Sequence, residues 1–303
     1  MNIGRLSHDD VLRELAGPGL WMRTGPLVTH VISDVPAVGR GLALHYAEHP
    51  LEDGGQFADF HVSIEGPRSI RRWLRPQVMF RFDGDVPFNP FPADQAFALF
   101  EWGLNWCISS LCHQYLTIHA AVVERDGAAL ILPAPPGSGK STLCAGLISR
   151  GWRLLSDELT LIDPANCLVI PLVRPVGLKN KSIDVIRSFS TEAVLGQVIS
   201  DTAKGAVAHM KPPSDSVIRA AELARPRWIV MPRYEAEASS CLKSFSKATA
   251  FMQLADQSFN YDLHGEAGFR LLADIVDNCD CYEFTYNSLE EACLVFDQLS
   301  RAA

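Results

Sequence analysis

An apolar strand that runs into a proline- and glycine-rich loop and out into a helix constrains this chain more than any other stretch. Residues 128–132 read Ala-Ala-Leu-Ile-Leu, and residues 134–142 read Ala-Pro-Pro-Gly-Ser-Gly-Lys-Ser-Thr. A strand, a tight loop and a helix in that order predict an α/β fold. Gly137 and Gly139 let successive backbone N–H groups turn inward without a Cβ clash. Those groups and the helix N-terminus, near Lys140, then form an anion site suited to a nucleotide phosphate. Pro136, Gly137, Ser138, Gly139, Lys140, Ser141 and Thr142 are the expected ATP-binding residues. Lys140 reaches the β and γ oxygens, and the Ser141 hydroxyl holds Mg²⁺. The pattern departs from G-x-x-x-x-G-K-[ST] at its first glycine, where Ala134 stands. That replacement costs little if the backbone at 134 keeps φ negative, and Pro135 and Pro136 stiffen the approach. Two plainer readings stay open: a glycine-rich turn with a chance lysine, and a cradle that no longer turns over.

The spacing after the loop adds chemistry. Residues 142–150 predict one short helix with Leu143, Leu147 and Ile148 on its apolar face, closed by Gly151. A strand over 152–156 follows and ends in Asp157-Glu158. The acidic pair therefore arrives one helix and one strand after Lys140. It reads as a metal and base site, with a solvated strand end as the alternative. His119 sits in the apolar run Leu116-Thr-Ile-His-Ala-Ala-Val-Val. Taken alone, it reads as a hydrogen-bonded core histidine.

Three runs together, His119-Ala-Ala-Val-Val-Glu, ALILPAPPGSGKST and LISRGWRLLSDE, resemble the catalytic core of the HPr kinase/phosphorylase superfamily. The closer likeness is to its HprK-related kinase A-like branch. Arg150, Gly151, Arg153, Leu154, Asp157 and Glu158 match that family's R-G-x-R-L-x-x-D-[DE] pattern. The resemblance covers residues 116–163 well and runs loosely to about 300, but does not reach 1–92. It implies a PEP-carboxykinase-like P-loop core with a mixed sheet. It also implies that Asp157 is the general base, that Glu158 helps Ser141 and Asp157 bind Mg²⁺, and that His119 assists near the phosphates. Phosphoryl transfer is mostly positioning and charge neutralisation, so such a set is chemically sufficient.

Two later segments look like family features as well. Residues 174–182 (Arg-Pro-Val-Gly-Leu-Lys-Asn-Lys-Ser) read as a basic loop leading into a helix, and residues 202–213 carry Lys211-Pro212. The resemblance makes Lys211 the counterpart of a catalytic basic residue that offsets charge on the transferred group. Lys179, Lys181 and Lys204 read equally as solvated loop charges, and Lys211 less so. No I-E-V-R-G run follows the carboxylates. That departure argues against phosphorylase activity and against HPr as the substrate.

The 303 residues are ample for two domains, and 48% hydrophobic content provides a sizeable core. The division expected is a smaller α+β domain over 1–92, with a role in substrate recognition, and a catalytic domain over 93–303. Residues 87–94, Pro-Phe-Asn-Pro-Phe-Pro-Ala-Asp, mark the boundary, with Asp94 as the cap of a helix over 94–115. Arg68, Arg71, Arg72 and Arg75 either grip an acidic peptide or form a solvated face. A formal net charge of −8 argues against nucleic acid or an anionic membrane as partner. The N-terminus lacks a signal-peptide pattern, and no stretch is long enough to span a membrane. Eight scattered cysteines without C-x-x-C spacing fit the cytoplasm, and Cys279-Asp-Cys281 is either a metal hint or a pair of buried thiols. The resulting expectation is a kinase acting on a serine of a small protein or peptide. A small-metabolite kinase and a nucleotide-binding regulatory module are the alternatives. The resemblance further points to a homo-oligomer.

Overall fold

Alternating burial along the first strands shows a sheet covered on one face. The computed structural model describes residues 1–55, 57–66 and 76–302; the basic run at Arg68, Arg71, Arg72 and Arg75 lies outside the described residues. Helix α1 (His8–Ala16) starts at Ser7, whose hydroxyl accepts the Asp10 N–H. Strands β1 (Leu20–Thr24) and β2 (Leu27–Ser33), helix α2 (Pro36–His45), and strands β3 (Phe60–Glu65), β4 (Gln77–Phe82) and β5 (Phe91–Pro92) follow. The strands pair in that order, with β2 and β3 parallel and the other pairs antiparallel. Helix α3 (Ala96–Leu111) then lays Leu99, Phe100 and Leu104 into the same core as Val31, Ile64 and Phe80. That core also takes in Leu159, Leu161, Ile170 and Leu172, from well beyond the glycine-rich loop. Asp94 is not the helix cap. It lies in a 3₁₀ turn over Ala93–Gln95, and no side-chain hydrogen bond caps α3.

The chain continues through β6 (Leu116–Ile118), β7 (Ala120–Arg125), β8 (Ala128–Pro133), α4 (Lys140–Ser149), β9 (Arg153–Ser156), β10 (Thr160–Ile162) and β11 (Val169–Ile170). After these come β12 (Val176–Lys179), α5 (Lys181–Phe189), β13 (Ile199–Thr202), β14 (Gly205–Met210), α6 (Ser214–Ile218), β15 (Arg225–Tyr234) and β16 (Cys241–Ser244). Helices α7 (Lys247–Asp256) and α8 (Tyr261–Asn278), strand β17 (Asp280–Tyr286) and helix α9 (Leu289–Arg301) complete it. The six-stranded sheet has the order β16-β17-β15-β8-β7-β9. Its β17, β15 and β8 run parallel and its other pairs antiparallel, so the fold is mixed α/β with a mixed sheet. Leu143, Leu147 and Phe296 of α4 and α9 cover one face, and Leu254, Leu272 and Ile275 of α7 and α8 the other. Coverage on both faces explains why β8 reads as an unbroken apolar run. Two smaller sheets, β11-β10-β6 and β12-β14-β13, flank it.

Three local expectations change. The apolar run through His119 is two strands, β6 and β7, which belong to different sheets and break at the histidine itself. Residues 174–182 are not a loop throughout, because 176–179 form β12; likewise most of 202–213 is a hairpin arm, β14. Among the described residues no helix is long and apolar enough to cross a membrane. All eight cysteines are free, and burial pushes the Cys279 thiol up to about 12.

Candidate active site

The loop between β8 and α4 has the conformation that its glycines suggest. Gly137 and Gly139 have φ of 89° and 92°, in the left-handed region, while Ala134 is not among the residues with positive φ. A Cβ on Gly139 would come within 2.4 Å of the Tyr286 hydroxyl, so only glycine fits there. The loop is held from behind by the ends of two parallel strands. The Tyr286 hydroxyl donates to the Gly139 carbonyl at 3.0 Å, and the Tyr234 N–H donates to the Ser138 carbonyl at 3.0 Å. Gly139 is the N-cap of α4 and supplies no side chain, which leaves the first helical N–H groups to an anion.

Three polar side-chain atoms near this loop are buried without a hydrogen-bond partner: Ser138 Oγ, Lys140 Nζ and Asp157 Oδ1. Buried polar groups are nearly always paired, and an orphaned ammonium is the costliest of the three. Lys140 is only 6% exposed, and burial holds its pKa below the ordinary lysine value.

The carboxylates sit where β9 ends. Asp157 is buried, and its Oδ2 accepts the Gly177 N–H at 2.9 Å. Burial and the neighbouring Glu158 charge raise its pKa, against the pull of Lys140, the Gly177 N–H and the Ser141 hydroxyl. Glu158 lies 3.1 Å from His119 Nε2 and 3.6 Å from Lys179 Nζ. Its burial acts upward, but the His119 hydrogen bond, Lys140 and Lys179 outweigh it and hold Glu158 below the usual carboxylate range. The break between β6 and β7 accounts for His119: its N–H bonds the Gln257 carbonyl at 2.7 Å, and its ring reaches Glu158.

Lys140, Ser141, Asp157, Glu158 and His119 therefore converge. Lys211 does not join them. Its Nζ lies 3.8 Å from Glu48, and it does not line the cleft beside Asp157. Lys179 is the cation at the carboxylates, delivered by β12. Arg150 and Arg153, part of the same sequence pattern, are structural: Arg150 pairs with Glu290 at 2.5 Å, and Arg153 pairs in the interior with Glu124.

Sequence reasoning missed a buried network on the far wall of this cleft. Arg174 donates to the Glu101 carboxylate at 2.7 Å and to Asn105 Oδ1 at 2.6 Å, and the Tyr46 hydroxyl donates to Glu101 at 2.7 Å. Asn105, Glu101 and Tyr46 lie 69, 73 and 128 residues from Arg174, so no local pattern could have revealed them. Among the described residues no group of three or more His, Cys, Asp or Glu side chains forms a metal cage. Two carboxylates and a hydroxyl, with Asp157 Oδ1 unpartnered, instead suit Mg²⁺, which keeps waters and phosphate oxygens as most of its ligands.

No protein-family profile matches the chain. No curated protein matches it either. Among solved structures, the chain is similar to the Hpr(Ser) kinase/phosphatase from Coxiella burnetii, at 12% identity, over 61% of this chain and 94% of that one, with a TM-score of 0.28. A superposition that loose carries no argument about activity, and the chemistry rests on the chain's own residues.

Proposed function

We propose that this protein is an ATP- and Mg²⁺-dependent kinase that phosphorylates a hydroxyl group, with a serine of a small protein or peptide as the first acceptor to try. A small-metabolite hydroxyl is the second. The observation that carries this reading is the convergence of Ser138 Oγ, Lys140 Nζ and Asp157 Oδ1, all buried and unpartnered, at a glycine loop that opens a helix. A nucleotide phosphate and its cation satisfy all three at once.

The residue roles follow from position. The loop N–H groups and Lys140 bind the phosphates, and Ser141 and Glu158 hold Mg²⁺ beside Asp157. A bound Mg²⁺–nucleotide supplies the phosphoryl group and neutralises charge on it. Asp157, its Oδ2 fixed by Gly177, takes the acceptor proton as the oxygen–phosphorus bond forms and the bond to the diphosphate breaks. His119 and Lys179 keep Glu158 anionic. Lys179 also stands where a cation offsets charge on the transferred group, the role expected of Lys211.

The test is mass spectrometry after incubating the protein, ATP and Mg²⁺ with a peptide library and, separately, with a metabolite pool. Wild type runs beside Lys140→Ala and Asp157→Ala. A gain of one phosphate on an acceptor, absent in both variants, is the expected result. Tight ATP binding with no labelled acceptor would replace the kinase with a nucleotide-gated binding module.

A further inference from the structure

The acceptor side of the cleft has a charge pattern of its own. Arg174 is locked to Glu101, and Lys179 lies against Glu158, so each cation in the lining already has a carboxylate partner. His209 is different. It lines the cleft, it is 5% exposed, and among the described residues neither ring nitrogen has a hydrogen-bond partner. Its nitrogens are not among the polar atoms sealed from solvent without a partner, so a ligand in the cleft can reach them and supply hydrogen bonds.

Its position is informative. His209 lies directly across from Gly177 in the β12–β14 ladder, and cross-strand partners share a face. On that face, a Cβ at Gly177 would point at Asp157 Oδ2 and Glu158 Oε1, both at 3.9 Å, with nothing nearer. The bare backbone of Gly177 therefore leaves a gap beside both carboxylates, and His209 flanks it. Phe97 packs edge-on at 5.2 Å and fixes the ring plane. Burial, with Arg174 and Lys179 nearby, pushes the pKa of His209 down to about 4, so the ring is neutral and offers one donor and one acceptor.

We propose that His209 is a recognition residue for the acceptor, and that the cleft selects a hydroxyl whose neighbouring groups are uncharged and hydrogen-bonding. This rests on the kinase reading of the same site. A seryl side chain between amides and a free polyol share that chemistry. A carboxylate or phosphate beside the hydroxyl meets Asp157 and Glu158; among the described residues both cations of the lining are already paired, and Lys140 is committed to the nucleotide in the kinase reading. Lys204, whose Nζ sits 5.3 Å over the Trp102 ring, is outside the lining.

The test uses four probes: acetyl-Ala-Ser-Ala-amide, acetyl-Asp-Ser-Asp-amide, glycerol and glycerol 3-phosphate. Labelled ATP reads transfer. Saturation-transfer NMR with a non-hydrolysable ATP analogue reads binding without transfer. Wild type, His209→Ala and His209→Asn are compared, with ATP affinity and melting temperature as controls. The expected result is at least a tenfold preference for one uncharged probe over its charged counterpart, and the pair that shows it tells peptide from polyol. His209→Ala raises KM or Kd for that probe about tenfold at unchanged ATP affinity, and His209→Asn recovers part of the loss. If His209→Ala does not fold, His209→Asn carries the comparison through a smaller loss. Binding that depends on His209 without any transfer sinks the kinase reading and keeps the recognition site. Preference for the charged probes, no binding of either neutral probe, or affinity indifferent to His209 overturns the proposal.

Discussion

At the residue scale, the site depends on single atoms whose alternatives can be tested. Replacing Asp157 by Asn keeps shape and burial but removes the group proposed as proton acceptor. A positioned base contributes about 10²–10⁴-fold, so transfer should fall by that factor while ATP affinity changes little. Stopped-flow or radiolabel rates beside calorimetric ATP titration check both halves. Gly139→Ala is the second residue-scale prediction. It places a Cβ 2.4 Å from the Tyr286 hydroxyl at a φ of 92°. Strain of about 1–3 kcal/mol and weakened ATP binding should follow. Adding Tyr286→Phe removes the clashing oxygen, so chemical denaturation of the double variant should recover part of the loss but not the part due to backbone strain.

At the element scale, the question is what holds β12 over the carboxylates. Gly177, which bonds Asp157, is three residues beyond Arg174, and Arg174 is clamped to α3 through Glu101 and Asn105. Removing one partner of a buried ion pair leaves the other charge stranded, at a cost of about 3–5 kcal/mol. Glu101→Gln retains hydrogen bonding and should lie at or below the low end, and Arg174→Met near the upper end. The Glu101→Leu/Arg174→Met pair should be more stable than Arg174→Met alone, since neither charge remains. Urea unfolding of Glu101→Leu, Arg174→Met and the double measures this coupling; additive losses would mean that the two side chains act independently. Because α3 comes from the N-terminal half and β12 from beyond the nucleotide loop, the same variants should also slow transfer more than they weaken ATP binding.

At the scale of the whole molecule, His45, His49 and His209 share one environment, the seam between the first core and the β12–β14 sheet. Burial pushes each of them down to about 4 from an ordinary 6.5. The unfolded chain therefore binds more protons than the folded one between those two values, so stability rises with pH across that window. Above 6.5 the contribution is complete; it is lost as pH falls toward 4. The loss should be roughly 1 kcal/mol per histidine for each pH unit. Melting temperature should drop between pH 7 and pH 5, and the slope should flatten when His45 is replaced by Gln. A melting temperature flat over that range would mean that these rings do not stay neutral in the fold.

The parts whose physics is local could be read from the residues alone. A strand buried on both faces reads as an apolar run, a left-handed turn calls for glycine, and a helix ends at Gly151; β8, the loop and α4 were therefore legible, as was the pair Asp157-Glu158 closing β9. Which charges meet there is set by how remote segments pack in the folded chain. His119 reaches Glu158 because two sheets part at that residue, and Lys179 lies beside Glu158 because β12 crosses the carboxylates, while Lys211 faces Glu48. Arg174, Glu101 and Tyr46 meet across 73 and 128 residues, and His209 meets the site through a strand pairing with Gly177. A strand's period records that a side chain is buried, but not which distant side chain it is buried against. Partner choice between remote segments is fixed by packing of the whole chain, and the chemistry of this cleft follows from that choice.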